Sequence, residues 1–403
     1  MPCRAGHARL AARARLELAD IFRAHGDRLP PLAGPQARAA RAIVRCRTAA
    51  LGGHVQECDH CGHREIAYNS CRNRHCPKCQ RLEAARWLEA QQAHLLPTEY
   101  HHVVFTLSAV LHPLFLGNPQ TGYRLLFAAV AETLGEVALR PQNLGATIGF
   151  SAVLHTWTQT LLYHPHVHCI VTGGGLSPDG TRWVSAHPGF LFPVRILARV
   201  FRGKLLRKLE QALAEGTLRT DAADPAALLR QAARPSWVVY SKPPFAGPEQ
   251  VLRYLGRYTH RIAISNERLT AMHDGQVTFQ WTDRAHGNAR KLMTLEAVEF
   301  LRRFLLHVLP RGLVRIRHYG LLANGAKRAR LARCRALLGG EPESPGSTPA
   351  RPPDPEPWPA LVERLTGRDV TLCPQCRRGH LIVKESVPPA EPLAGTRPTA
   401  RSP

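Results

Sequence analysis

Two Cys-x2-Cys pairs, Cys58–Cys61 and Cys76–Cys79, separated by 14 residues, set the hardest constraint on this chain. The stretch 54–80 that carries them has five cysteines, several histidines and little apolar periodicity, so burial alone cannot order it. Four sulfurs on two tight turns suit a tetrahedral zinc ion, and such a site supplies on the order of 10 kcal/mol of folding free energy. The expectation is a structural Zn2+ on Cys58, Cys61, Cys76 and Cys79, with Cys71, His63 and His75 as alternative ligands among which the sequence does not choose. Cys373-x2-Cys376 is only half a site; Cys334 or His380 offers to complete it, and an unmetallated knuckle is an equal reading.

Charge points to the partner. Lys+Arg is 54 against Asp+Glu 30, a net charge of +24, spread along most of the chain. Neutralising phosphates releases counterions, so nucleic acid is the expected partner. Arg64, Arg72, Arg74 and Arg81 thread the cysteine region and suit either phosphate contacts or a solvated face. The Arg-rich N-terminus lacks the apolar core of a signal peptide, and no run reaches the ~20 apolar residues of a membrane span. A cytoplasmic, nucleoid-associated protein without membrane contact is expected, with cysteines serving as ligands or core residues rather than disulfides.

Residues 8–50 read as helical, with a stop at Gly26, and 81–96 as a helix stopped by Pro97. Strand patterns follow at 101–108, 146–159, 166–175, 236–245 and 277–284, with helices at 122–139, 193–213, 248–263 and 296–310. A basic segment covers 315–338, and 339–359 has the Pro, Gly, Ser and Glu content of a linker. The divisions expected are a helical zinc-binding DNA-recognition domain over 1–97, a catalytic domain over 98–338, and a linker with a short tail over 339–403.

Within Tyr163-His164-Pro165-His166-Val167-His168, the residues His166 and His168 alternate, so a strand projects both to one face. Two imidazoles there, followed by Gly173-Gly174-Gly175, form a platform for a divalent ion, Mg2+ or Mn2+, that polarises a phosphodiester oxygen. The third ligand is left among His155 and Gln159, on the preceding strand, and His164. Tyr254 and Tyr258 stand at i and i+4 of a helical pattern beside Arg253, Arg257 and Arg261. Aromatic residues so spaced are usually core, but the basic stripe alongside suits phenols that attack phosphate with Lys242, Arg257 and Arg261 as phosphate contacts. No G-x-x-x-x-G-K-[ST] loop is present, in keeping with chemistry that needs no nucleotide cofactor.

These segments together resemble the rolling-circle transposases of the insertion-sequence-91 type, within the superfamily of HUH endonucleases (histidine, bulky hydrophobic, histidine). The resemblance runs over nearly the whole chain, through CDHCGH…YNSCRNRHCPKCQ, YHHVVFTLS, VLHTWTQTLLYHPHVHCIVTGGG, YSKPPFAGPEQVLRYLGRYTHRIAISN and FLRRFLLHVLPRGLVRIRHYG. It implies an α+β fold, an antiparallel sheet backed by helices after a helical zinc-binding region. It further implies His166 and His168 as metal ligands, and Tyr254 and Tyr258 as nucleophiles of the two-tyrosine branch. The implied activity is single-strand DNA cleavage and strand transfer through a 5′-phosphotyrosine, acting on bacterial element ends and targets. Rival readings are a replication initiator or relaxase of the same chemistry, and a zinc-dependent nucleic-acid-binding protein without catalysis. Oligomeric state is not readable from the sequence.

Overall fold

The computed structural model describes residues 16–32, 34–92, 94–245, 250–251, 263–284, 286–339 and 356–390. The chain starts with α1 (Leu18–His25) and α2 (Gly34–Arg45), then a hairpin of β1 (Gly53–Cys58) and β2 (Arg64–Tyr68), then α3 (Pro77–Gln92). α1 begins where the Asp20 carboxylate accepts the Glu17 N–H at 2.9 Å, satisfying an amide that the first helical turn leaves without a partner.

The central part runs β3 (Tyr100–Thr106), α4 (His112–Gly117), α5 (Pro119–Leu139), β4 (Thr147–Trp157), β5 (Tyr163–Leu176) and β6 (Trp183–Ser185), and continues through α6 (Val194–Ala214), α7 (Pro225–Ala233) and β7 (Val239–Phe245). α7, which the sequence pattern did not suggest, has Pro225 in its first turn and Asp224 accepting the Ala227 N–H at 2.9 Å. Next come β8 (Leu269–His273), β9 (Gln276–Asp283), β10 (Ala289–Glu296), α8 (Ala297–Leu305), β11 (Ile316–Gly320), α9 (Lys327–Leu337), α10 (Trp358–Thr366) and β12 (Leu381–Val387). α10 occupies the end of the linker-like stretch and continues past it.

The main sheet is antiparallel in the order β11-β4-β5-β3-β7, with β6 on β5. Period-2 alternation divides its side chains. Val103, Phe105, Phe150, Ala152, Leu154, Val167, Cys169 and Val171 face α5 and α6 in the largest core. The other face carries the histidines. Lys204 and Lys208 of α6 pair with Glu136 (2.7 Å) and Glu132 (2.6 Å) of α5, so part of the basic side of α6 is neutralised within the fold. The glycine run closes the far end of β5: a Cβ on Gly173, Gly174 or Gly175 would fall under 3.0 Å from the carbonyl oxygens of Glu99, Val184 and Thr147. That run therefore serves close backbone approach rather than metal binding.

Two contacts cross the divisions expected at 97 and 338. Leu18, Ile21, Phe22, Ile43, Cys76 and Cys79 share one buried cluster with Val277, Phe279, Phe300, Leu301 and Phe304, joining α1, α2 and the start of α3 to β9 and α8. β12 pairs antiparallel with β1, from Gly53↔Val387 to Cys58↔Leu381, and makes a three-stranded sheet with the hairpin. Among the described residues, no helix is long and apolar enough to cross a membrane.

Candidate functional site: a histidine cleft and two cysteine centres

The register of β4 against β5 sets His155 opposite His166, and the period of two brings His168 to the same face. Ligand nitrogens of His155, His166 and His168 all lie within 4.8 Å of one another. Gln159 and His164, the other two candidates for a third position, line the same cleft, and His164 stands outside that cluster. His164 contributes instead through its backbone, since the His166 Nδ1–H donates to the His164 carbonyl at 2.6 Å. A carbonyl can only accept, so this bond fixes the tautomer and leaves Nε2 of His166 as the lone-pair nitrogen.

His102 of β3, absent from the sequence-based site, lies 2.8 Å from His168, Nε2 to Nδ1, with the two rings stacked. If His168 is to ligate through Nε2, its Nδ1–H donates to His102, which is how an outer partner orients a ligating imidazole. Burial holds His166 down at about 4 and His102 down at about 3, and pushes His168 well below its ordinary value. At neutral pH these rings are uncharged, the state a metal ligand needs.

The cleft has a volume of ≈ 360 Å³. Tyr240 and Lys242 of β7 and Arg284 after β9 share its lining with the histidines, so an anion entering it meets two cations beside a nitrogen platform. Of these, Lys242 was expected; Tyr240 shares its strand parity and was legible by that route, whereas Arg284 reaches the cleft only through tertiary packing. Tyr254, Tyr258, Arg257 and Arg261 lie outside the described residues. Val251, three positions before Tyr254, is fully buried against Tyr100 and Ile170, and Ile170 is two residues from His168 on the same strand face.

The cysteines group differently from the expectation. Cys76 and Cys79 converge with Cys46 and Cys71, while Cys58 and Cys61 converge with Cys373 and Cys376. The expected set of Cys58, Cys61, Cys76 and Cys79 is thus corrected: the β1–β2 hairpin carries the first pair away to β12, and α3 carries the second to the end of α2. Cys334 packs instead with Leu96, Leu321, Leu322 and Leu331, and His380 bonds Thr371, so neither completes the C-terminal pair. None of the described cysteines is in a disulfide.

In the first group Cys79 Sγ lies 3.6 Å from Cys46 Sγ and 3.7 Å from Cys71 Sγ. Zn–S bonds of about 2.3 Å in a tetrahedron put sulfurs about 3.8 Å apart, so these four fit Zn2+. The Cys71 N–H adds an amide-to-sulfur bond to Cys46 at 3.5 Å. Arg74, next to this centre, is not presented to solvent for phosphate: its guanidinium donates to the carbonyls of Leu313 and Pro310, each at 2.6 Å. Arg64 pairs with Glu385 at 2.6 Å.

Known proteins similar to this chain are transposases. A family model described as a transposase zinc-binding domain matches residues 19–107, and one described as a putative transposase matches residues 149–330. The putative transposase y4qJ of Sinorhizobium fredii is 52% identical over 93% of this chain and 96% of its own length. The transposase for insertion sequence element IS801 of Pseudomonas savastanoi pv. phaseolicola is 30% identical over 70% of this chain and 69% of its own. Among solved structures, the conjugative relaxase TrwC in complex with OriT DNA covers 39% of this chain and 70% of that one at 14% identity, with a TM-score of 0.22, too low to bear on the fold. The two transposase family matches and the two transposase relatives place the chain in the insertion-sequence-91 family of rolling-circle transposases.

Proposed function

We propose that this transposase cleaves single-stranded DNA at its histidine cleft and holds the cut end as a 5′-phosphotyrosine on Tyr254 or Tyr258. The observation that carries the reading is the convergence of three imidazoles with Lys242 and Arg284 in one open cleft. A divalent cation held by His155, His166 and His168 would draw electron density from a non-bridging phosphate oxygen and offset the charge that builds up as the phosphorus is attacked. Nitrogen donors hold Mg2+ more weakly than Mn2+, since Mg2+ prefers oxygen, so Mn2+ is the better of the two candidate ions.

The protein's own groups do the rest. Lys242 and Arg284 attract the phosphodiester and orient it across the cleft. His102 holds the His168 ring in place. The phenol oxygen bonds to phosphorus as its proton leaves, the P–O3′ bond breaks, and the departing 3′-oxygen takes up a proton. One phosphoester replaces another, so the step conserves bond energy, and a 3′-hydroxyl reverses it to join strands. A second tyrosine allows a second cut while the first end is held. Val251, which lies against the histidine face of the sheet shortly before both tyrosines in sequence, supports this assignment.

The test is incubation of the protein with labelled single-stranded DNA from an element end, with Mn2+ or Mg2+. The expected result is a protein–DNA adduct that survives denaturation and does not form when a chelator is present. Binding without any such adduct, under every divalent ion tried, would favour a nucleic-acid-binding protein without catalysis.

A further inference from the structure

We propose that Cys58, Cys61, Cys373 and Cys376 bind a second zinc ion, and that the C-terminal tail is the closing half of a zinc ribbon split across the chain. Cys58 Sγ lies 3.7 Å from Cys376 Sγ, and Cys61 Sγ lies 3.7 Å from Cys373 Sγ, across more than 300 residues of sequence. These spacings are far too long for a disulfide and match the edge of a zinc tetrathiolate, about 3.8 Å.

The two Cys-x2-Cys turns are built alike although they come from opposite ends of the chain. In each, the residue four positions after the first cysteine has a left-handed backbone: Gly62 at φ 69° and Arg377 at φ 54°. In each, that residue's N–H donates to the carbonyl of the first cysteine, Gly62 to Cys58 at 3.1 Å and Arg377 to Cys373 at 3.0 Å. The first cysteine's own N–H then closes the loop, Cys58 onto the His63 carbonyl at 2.9 Å and Cys373 onto the Gly379 carbonyl at 2.8 Å. Each turn also aims an amide at sulfur, His60 N–H at Cys58 (3.4 Å) and Gly379 N–H at Cys376 (3.5 Å). Amides donated to sulfur favour the thiolate, the form that ligates metal. The ends are then joined directly: the His380 N–H donates to Asp59 Oδ1 at 2.7 Å, and the Asp59 N–H to the His380 carbonyl at 3.1 Å.

Packing supports the same assignment. β12 extends the β1–β2 hairpin, which places the second knuckle against the first. At Gly379 any Cβ would come under 3.0 Å from Asp59, His60 and Cys58, so only glycine allows the two turns to close. Apart from Leu381, the buried apolar residues at this junction are cysteines. An apolar core does not hold the tail here; a metal does.

Alkylation of the wild-type full chain provides the test, because Cys61 is exposed and Cys376 half-exposed, so as free thiols they would react at once. With zinc bound, Cys61 and Cys376 react with N-ethylmaleimide at least about tenfold more slowly than an unfolded control, and a chelator restores the rate. The variant Gly379→Ala keeps all four sulfurs and exposes Cys61 and Cys376 to alkylation while Cys46 and Cys71 stay protected. Metal analysis on a His166→Ala/His168→Ala background, in which the imidazole site does not count, gives two zinc ions per chain, falling to one when Cys373 and Cys376 are both serine. Immediate alkylation of Cys61 in the wild type, protection reversed by a reductant instead of a chelator, or an unchanged zinc count in the serine variant each overturns the proposal.

Discussion

Around Cys46, Cys71, Cys76 and Cys79 four sulfurs close on one another inside an apolar core, whereas around His155, His166 and His168 three nitrogens line an open cleft. In the first arrangement the sulfurs face one another. Its cysteines pack with Leu18, Ile21, Ile43 and Phe300, so an ion there ties α1, α2 and α3 to α8. The second arrangement sits on two paired strands of the main sheet and leaves one side open as a cleft. A closed soft-donor set builds architecture, and an open nitrogen set on a preformed sheet is suited to chemistry. Removing a ligand should therefore damage stability at the first centre and activity at the second.

The largest effect is expected at the closed centre. Cys76→Ser should cost on the order of 5 kcal/mol or more, since an uncompensated loss of zinc removes much of the folding free energy of that lobe. Urea unfolding of the zinc-loaded proteins measures it. At the open centre, His168→Ala should lower DNA cleavage by about 10³-fold or more by removing a ligand, while moving the urea midpoint far less than Cys76→Ser does. Equal destabilisation by the two variants would erase the distinction.

Acid should act on the folded scaffold as well as on the ligands. Burial holds His307 at about 4 while Thr156 and the Leu161 carbonyl bond its ring, whereas an unfolded histidine titrates near 6.5. Between those values the unfolded chain binds more protons. The stability from this group is therefore complete above about pH 6.5 and lost as the pH falls towards 4, about 3 kcal/mol in all. His307→Gln should flatten that part of the profile of unfolding free energy against pH. The smallest effect is expected at the residue behind His168: His102→Ala should weaken metal affinity or cleavage about 10- to 100-fold, because it frees the His168 ring without removing a ligand. Metal titration against the wild type reads this directly.

Local periodicity carried much of this arrangement in the sequence itself. The alternation in His166-Val167-His168 was enough to set both rings on one face, and the Cys-x2-Cys turns were enough to mark metal binding. Which turn meets which was hidden, because each supplies only half a tetrahedron and the partner is set by strand pairing between β1 and β12. His102 was hidden for a related reason: beside His101 in the sequence, it is singled out only by the register of β3 on β5. β10 escaped notice because ARKLMTLE is largely exposed and shows no apolar alternation. Arg284 had no local signal at all.

Tyr240 lines the cleft, while the family resemblance assigns the nucleophile to Tyr254 and Tyr258, and a direct measurement can set these against each other. Adduct formed with Mn2+ on single-stranded element-end DNA is digested with nuclease and protease, and the modified peptide is identified by mass spectrometry. The account predicts a nucleotide phosphate on Tyr254 or Tyr258, with no adduct from Tyr254→Phe/Tyr258→Phe and adduct retained by Tyr240→Phe. A modified peptide that contains Tyr240, or an undiminished adduct in the double phenylalanine variant, would contradict it.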